Sequence, residues 1–208
     1  MQAYLPGFLA SYAILLVAVL SPGPAVAMLL GVALSRGRAS AVIASVGVAA
    51  GAATLAALTL AGVGVLMQQA AWAVTILRMV GAAYLLWLAY GSFRKAIHPP
   101  RVAPDEMPPL SPLRAFATGY LMQVTNPKAI VFWIAIASVG ATNGAPAAIV
   151  ALFLLGAFLI SLAGHGAYAL ALSAAPVRAL YARARRTIEA TLGLFFTLFA
   201  IRLATARN

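Results

Sequence analysis

The chain has 208 residues, of which 64% are hydrophobic and only 8% are charged. Because a soluble domain carries about 25% charged residues, this composition excludes a soluble fold. It also excludes a soluble nucleic-acid-binding protein, despite the net charge of +11. The lack of cysteine in the sequence excludes disulfides, thiolate catalysis and cysteine-ligated metals.

Six apolar segments are long enough to cross a bilayer, whose hydrocarbon core of about 30 Å needs roughly 20 residues of helix. They cover residues 6–34, 41–66, 72–93, 114–138, 146–172 and 187–205. The sequence therefore predicts an all-α membrane protein with six transmembrane helices.

Basic residues alternate between the connections of these helices. The first, third and fifth connections carry them, whereas the second (67–71) and fourth (139–145) carry none. The basic residues are Arg36 and Arg38, then Arg94, Lys95, Arg101 and Arg114, then Arg178, Arg183, Arg185 and Arg186. Since cytoplasmic loops are enriched in lysine and arginine, both termini are predicted to lie outside the cytoplasm.

A proline-rich cytoplasmic linker, residues 96–113, divides this single transmembrane domain of residues 1–208 into halves. Each half, 1–95 and 114–208, contains three of the predicted helices. With an odd number of spans per half, the second half is expected to insert upside down relative to the first. This is the inverted-repeat arrangement of many secondary transporters.

The first predicted helix is interrupted by the sequence SPGP at residues 21–24. Proline lacks an N–H group and disfavours helix in the residue before it. One helix should therefore stop near Leu20 and another begin near Pro24. From Gly7 to Leu20 the helix rises about 20 Å, which sets the interruption near mid-membrane.

The fourth predicted helix has a similar interruption at Thr125, Asn126, Pro127 and Lys128, about 18 Å from the opposite face. Interrupted helices in matching positions of two halves point to a binding site at their interface. Non-helical backbone at this depth is tolerated only inside protein or along a wet cavity. A pair of proline kinks that only shape packing is the alternative.

The interruptions expose helix ends of opposite polarity. N–H groups that begin at Ala25 and Ala129 suit an anion, and carbonyl groups near residues 17–20 and 123–125 suit a cation. A zwitterion with one carboxylate and one ammonium group matches both.

Three stretches of the sequence strongly resemble the LysE/RhtB amino-acid exporters: SPGPAVAMLLGVALSRGRASAVIASVGVAAG, LRMVGAAYLLWLAYGSFR and GYLMQVTNPKAIVFW. With AIRLA in the last helix, the resemblance extends over essentially the whole chain. It implies a small bacterial inner-membrane transporter that exports amino acids and is driven by the proton-motive force. By this likeness the site is expected around Pro22, Gly23, Pro24, Asn126, Pro127 and Lys128, with Tyr84, Gly47 and Gly51 nearby.

Ala52 departs from this family pattern. In many relatives a polar or acidic residue follows the second glycine of the G-x-x-x-G stretch, which is Gly51 here. The usual candidate for handling a proton or cation is therefore missing. His165 becomes the proton-coupling candidate, since histidine is the side chain that titrates near neutral pH. A packing role for this histidine is the alternative.

Lys128 is predicted near mid-membrane, where a charge is costly and usually functional. It is expected to hold the substrate carboxylate or respond to protonation, or else to neutralise carbonyls freed at a break. Gln123, one helical turn before Asn126, is expected to contact substrate or to form an interhelical hydrogen bond. Gly47 and Gly51 permit close helix approach, within one bundle or in a homodimer.

The three acidic residues are Asp105, Glu106 and Glu189. The first two lie in the linker, and Glu189 is predicted in the first turn of helix six, paired with Arg185. No carboxylate is then left at mid-membrane. A neutral amino acid is therefore expected, rather than lysine, arginine or a metal ion.

The sequence has no paired carboxylates, metal-ligand spacing, nucleophile–base pair or Walker A motif. We therefore expect no enzyme activity, no cofactor and no metal site. The predicted function is a secondary transporter in the lipid bilayer for small neutral amino acids or related metabolites. A membrane scaffold or a passive channel is the alternative, and both a monomer and a homodimer are open.

Overall fold

The computed structural model describes residues 2–69, 71–98 and 108–205. Within these ranges every regular element is helical: a short 3₁₀ turn at Gln2–Tyr4 is followed by α-helices. These are α1 (Leu5–Leu20), α2 (Pro24–Arg36), α3 (Arg38–Gln69), α4 (Ala71–Ile97), α5 (Pro112–Val124), α6 (Pro127–Ala137), α7 (Ala147–Ala171) and α8 (Ala175–Thr205). The predicted all-α fold is confirmed for this part of the chain.

Among the described residues, three helical stretches have the length and apolarity needed to cross a membrane: Gln2–Leu20, Arg38–Gly62 and Ala147–Ala171. Two further helices, Pro24–Arg36 and Pro127–Ala137, are apolar but shorter. In chain order, a broken helix followed by two long helices occurs twice. The count of six spans and the inversion of one half stay predictions.

The first interruption lies where the sequence predicts it. Helix α1 ends at Leu20, Ser21 is extended (φ −77°, ψ 118°), and Gly23 is extended before α2 begins at Pro24. Ser21 leaves the helical region because it precedes a proline. Pro24 suits the first helical position because its missing N–H would have no helical partner there.

The second interruption has a different local structure. Helix α5 ends at Val124, and only Thr125 and Asn126 separate it from α6, which begins at Pro127. The Asn126 side chain accepts a hydrogen bond from the Lys128 N–H (3.1 Å) and so caps α6. This break is therefore a short kink with its own N-cap.

Two groups of helices account for most of the interhelical packing. Helix α4 packs mainly against α8, and α3 packs mainly against α5 and α7, whereas α3 and α4 meet only sparsely. The close approach of α3 to α5 depends on two glycines. An added Cβ at Gly47 would collide with the Phe116 carbonyl oxygen, and one at Gly119 with the Ala44 carbonyl oxygen.

Helix α8 is longer than the sequence predicts, because it begins at Ala175 rather than near residue 187. The apolar pattern begins only after residues 178–186, which are rich in arginine. These residues are nevertheless helical, because alanine, leucine and arginine are strong helix formers. Glu189 therefore lies about four turns inside the helix. The prediction that Glu189 occupies a first turn is wrong.

Substitution of Gly47 by alanine is expected to destabilise the protein. The added methyl group would force α3 away from the α5 backbone, and overpacking of this kind costs about 1–3 kcal/mol. Gly62 is the matched control on the same helix, because an added Cβ there meets nothing within 4 Å. Thermal unfolding in detergent micelles measures both variants. Equal midpoints for Gly47→Ala and Gly62→Ala would contradict the close approach.

Candidate functional site

The four helix ends created by the two interruptions meet at one small, partly open cavity. Its polar lining comes from both breaks and from α7, and α3 contributes Ala52. The polar lining residues are Ser21, Gln123, Asn126, Lys128, Ser161 and His165. The cavity volume is about 30 Å³, which suits about one water molecule rather than an organic solute.

The ammonium group of Lys128 connects the two interruptions. Lys128 lies at the start of α6 and is only 6% exposed. Its Nζ donates hydrogen bonds to the carbonyl oxygens of Ala18 (3.0 Å) and Ser21 (2.6 Å), at the end of α1. It also lies 5.9 Å from the ring centroid of Phe132 and 5.7 Å from that of Phe196. Of the predicted roles, this geometry matches the neutralisation of freed carbonyls.

Gly23 leaves the space that the lysine side chain fills. A Cβ added there would lie 3.0 Å from Cδ and 3.1 Å from Nζ of Lys128. The backbone of Gly23 is extended, with φ −155°, so any residue could adopt its conformation. Its role is therefore to allow the close approach rather than to relieve backbone strain.

The other carbonyls at the end of α1 also have donors. The Ser21 N–H donates to Val17 O (3.0 Å) and the Ser21 hydroxyl to Ala18 O (3.0 Å). The Tyr168 hydroxyl, on α7, donates to Leu20 O. Two side chains from distant parts of the chain, Lys128 and Tyr168, thus complete the capping of this helix end.

Two carbonyls near the end of α5 accept hydrogen bonds from residues that follow them in the chain. The Thr125 N–H and hydroxyl both donate to Leu121 O (3.1 and 2.7 Å), and the Asn126 N–H donates to Gln123 O (3.2 Å). Of the carbonyls near residues 123–125 that are expected to face a cation, the Gln123 carbonyl therefore has a donor, and the expectation stays a prediction for the others. Thr125 and Asn126 cap this helix end locally.

The N-terminus of α2 is the more open of the two new helix starts. Its first backbone bond runs from Ala27 N–H to Gly23 O (2.9 Å), and no side chain caps it in the described part of the chain. The N–H groups of Ala25 and Val26 therefore precede the hydrogen-bond ladder beside the cavity. Such an N-terminus is suited to a carboxylate.

Two further polar side chains lie in the cavity wall. Gln123 is 6% exposed, and its Oε1 atom has no hydrogen-bond partner among the described residues. His165 Nδ1 lies 3.0 Å from the carbonyl oxygen and 3.2 Å from the hydroxyl of Ser161. Because a carbonyl only accepts, that bond requires a proton on Nδ1, which leaves Nε2 as the acceptor of a neutral ring.

The remaining expected site residues lie around the cavity rather than in its lining. Gly51 lies against the side chain of Gln123, and Gly47 against the α5 backbone. Pro22 and Pro127 set the breaks. Tyr84 was expected near the site, but it is not in the cavity lining, and its ring centroid lies 5.2 Å from that of Trp87 on α4, with the rings tilted by 35°.

Sequence reasoning missed two groups of site residues. Ser161 lies one turn before His165, so helical spacing from the histidine was the signal that could have found it. Phe132 lies one turn after Lys128 on α6, so the same helical spacing could have found it, whereas Phe196 had no comparable signal because α8 is distant in sequence.

Glu189 lies inside the bundle and is 4% exposed. The Ser92 hydroxyl forms a hydrogen bond with its carboxylate, and the positive charges of Lys95, Arg185 and Lys128 all act on it. One carboxylate oxygen, Oε2, has no hydrogen-bond partner among the described residues. About two helical turns separate Glu189 from Phe196, the α8 residue next to the lysine ammonium.

Comparison with known proteins gives consistent results. The family model described as LysE type translocator matches residues 16–207. The chain is 30% identical over 206 residues to the threonine efflux protein of Escherichia coli K12, covering 96% of this chain and 98% of that protein. No solved structure matches the chain.

Two membrane proteins without a named function are also similar. YahN of Escherichia coli K12 is 30% identical over 147 residues, which is 70% of this chain and 66% of YahN. A Vibrio cholerae membrane protein is 37% identical over 75 residues, which is 36% of each chain. The chain therefore spans less than two thirds of the length of each of these two proteins.

The neutral ring of His165 is expected to carry its proton on Nδ1, because that nitrogen faces the Ser161 carbonyl. Nitrogen-15 NMR of protein labelled at histidine distinguishes the two tautomers. A His98→Gln background leaves a single histidine signal, since the chain has two histidines. A neutral ring with its proton on Nε2 would contradict the hydrogen bond and the orientation of the ring.

Proposed function

The chain belongs to the LysE type translocator family, and from this premise we propose that it is a secondary transporter that exports small neutral amino acids from the cytoplasm. The observation that carries the proposal is the meeting of four helix ends, from two interrupted helices, at one cavity lined by six polar side chains. Paired interruptions of this kind bind substrate in other secondary transporters. Similarity to a protein named for threonine efflux supports an amino acid as the substrate.

The first interruption offers a site for each end of a zwitterion. The N–H groups of Ala25 and Val26 at the start of α2 bind the carboxylate. The carbonyl groups at the end of α1, on the other side of the break, suit an ammonium group. Since one break supplies both sets of groups, it fits the short separation between the two charges of an α-amino acid.

The cavity wall favours a neutral side chain on the substrate. None of the described lining residues is acidic, so a second positive charge would have no carboxylate beside it. Ala52, Val19 and Trp133 supply apolar surface, while Gln123 and Ser161 offer groups that form hydrogen bonds. Threonine is therefore the first substrate to test, followed by other neutral amino acids of similar size.

Alternating access is the mechanism that we propose. Six spans form two inverted repeats, 1–95 and 114–208, joined by the cytoplasmic linker 96–113, with both termini outside the inner membrane. The α4–α8 pair and the group of α3, α5 and α7 pack more within themselves than against each other. Relative movement of these two helix groups opens the small cavity first to one side of the membrane and then to the other.

Transport assays in proteoliposomes test the function directly. Counterflow of labelled threonine is expected to saturate with concentration and to be inhibited by unlabelled serine but not by lysine. An imposed pH gradient should increase the flux. Flux that rises linearly with concentration would indicate a channel instead. Lack of counterflow for every amino acid tested, with folded protein, would contradict amino-acid export.

His165→Gln is expected to remove the stimulation by a pH gradient and to leave exchange at equal pH intact. The reason is that His165 is the histidine in the cavity wall, and an amide retains hydrogen bonding without titrating. His98→Gln is the matched control, because His98 follows the end of α4 and does not line the cavity. Gradient stimulation that persists in His165→Gln would exclude this residue as the proton carrier.

A further inference from the structure

The end of α1 already holds a primary ammonium group. Lys128 Nζ donates to Ala18 O at 3.0 Å and to Ser21 O at 2.6 Å, and its side chain is almost fully buried. The same two carbonyls are the acceptors beside the open N-terminus of α2. The lysine head group therefore occupies the position that the ammonium of a bound amino acid would need.

The space in the cavity prevents joint occupancy. A volume of about 30 Å³ holds about one water molecule, and the lysine side chain passes directly over Gly23, within 3.0 Å of a Cβ added there. A substrate whose carboxylate reaches Ala25 would bring its ammonium against that side chain. One of the two ammonium groups has to leave the carbonyls.

We propose that the carbonyl oxygens of Ala18 and Ser21 form a primary-ammonium subsite, which Lys128 occupies in the substrate-free protein and which the substrate ammonium takes over on binding. This inference rests on the proposed function, because it assigns the contacts of an exported amino acid. The lysine is then an internal competitor of the substrate. A ligand without a primary ammonium group cannot displace it.

Groups on α6 and α8 stabilise the displaced lysine. The rings of Phe132 and Phe196 lie 5.9 and 5.7 Å from Nζ, and the face of an aromatic ring attracts a cation. Glu189 lies about two helical turns before Phe196 on α8, and its charge acts on Lys128. Displacement therefore moves the ammonium from α1 towards α8 without exposing it to lipid.

Displacement also removes the tie between the two interruptions. While Lys128 is bound, α6 is held to the end of α1 by two hydrogen bonds. Once the substrate ammonium takes those carbonyls, α6 and α1 are free to separate. The substrate therefore binds the open conformations more tightly than the substrate-free arrangement. This difference in affinity is what a population shift requires.

Chemical rescue tests the subsite without a transport assay. Lys128→Met leaves the carbonyls vacant, and added ethylammonium should fill them, raising the unfolding midpoint of this variant by about 2–4 °C. Tetramethylammonium has the same charge but no N–H donor, so it should have no effect. The wild type and Lys95→Met, the other lysine in the chain, should show no shift with ethylammonium.

Equal shifts with both cations, or no shift specific to Lys128→Met, would overturn the subsite. If that variant does not fold, wild-type protein labelled with nitrogen-15 at the lysine Nζ provides the test. A saturating transported amino acid should move the Lys128 signal and leave the Lys95 signal in place. An unmoved Lys128 signal would overturn displacement. Rescue without amino-acid exchange would instead retain the subsite and reject the proposed function.

Discussion

The hydrogen bonds from Lys128 Nζ to the end of α1 are the constraint on which the rest of the structure depends. Two prolines within four residues free carbonyls in the interior of an apolar bundle, and a buried unsatisfied carbonyl costs about 1–3 kcal/mol. An ammonium group buried alone would be costlier still. Each group removes the cost of the other, and the bond that results joins residues 18 and 128 across the chain. Neither interruption can therefore move independently of the other.

The two interruptions are chemically unequal, although they hold matching places in the chain. At the second break, Thr125 and Asn126 supply donors to two carbonyls of α5, and the Asn126 side chain caps α6. The first break depends on Lys128 and Tyr168, which come from α6 and α7. Partners supplied from a distance can be exchanged when helices move. We propose that binding chemistry is for this reason concentrated at Ser21–Pro24, and that the second break acts by delivering the lysine.

The positions of both breaks could be predicted from the sequence because the effect of proline on its neighbours is local. The partner of Lys128 could not be predicted from the sequence, because only tertiary packing decides whether its ammonium group meets a substrate, a carboxylate or a carbonyl. Glu189 was placed wrongly for a related reason. Hydropathy marks where apolar residues begin, but α8 continues through its arginine-rich turns, and the burial of this carboxylate comes from α4 packing beside it. Tyr84 was expected near the site through family likeness; it packs against the cluster that includes the cavity-lining residue Phe132 without lining the cavity itself.

The small cavity and the uneven packing between the helix groups together indicate where the bundle can open. Gly47 and Gly119 bring the backbones of α3 and α5 into contact, and glycine–backbone contacts of this kind leave little freedom for sliding. The sparse contact between α3 and α4 has no such restraint. Helix α6 packs against both α3 and α4, and α1 packs against α6 and α7. We propose that opening of the cavity moves α1 relative to α6, which are joined by the two Lys128 hydrogen bonds and by side-chain packing.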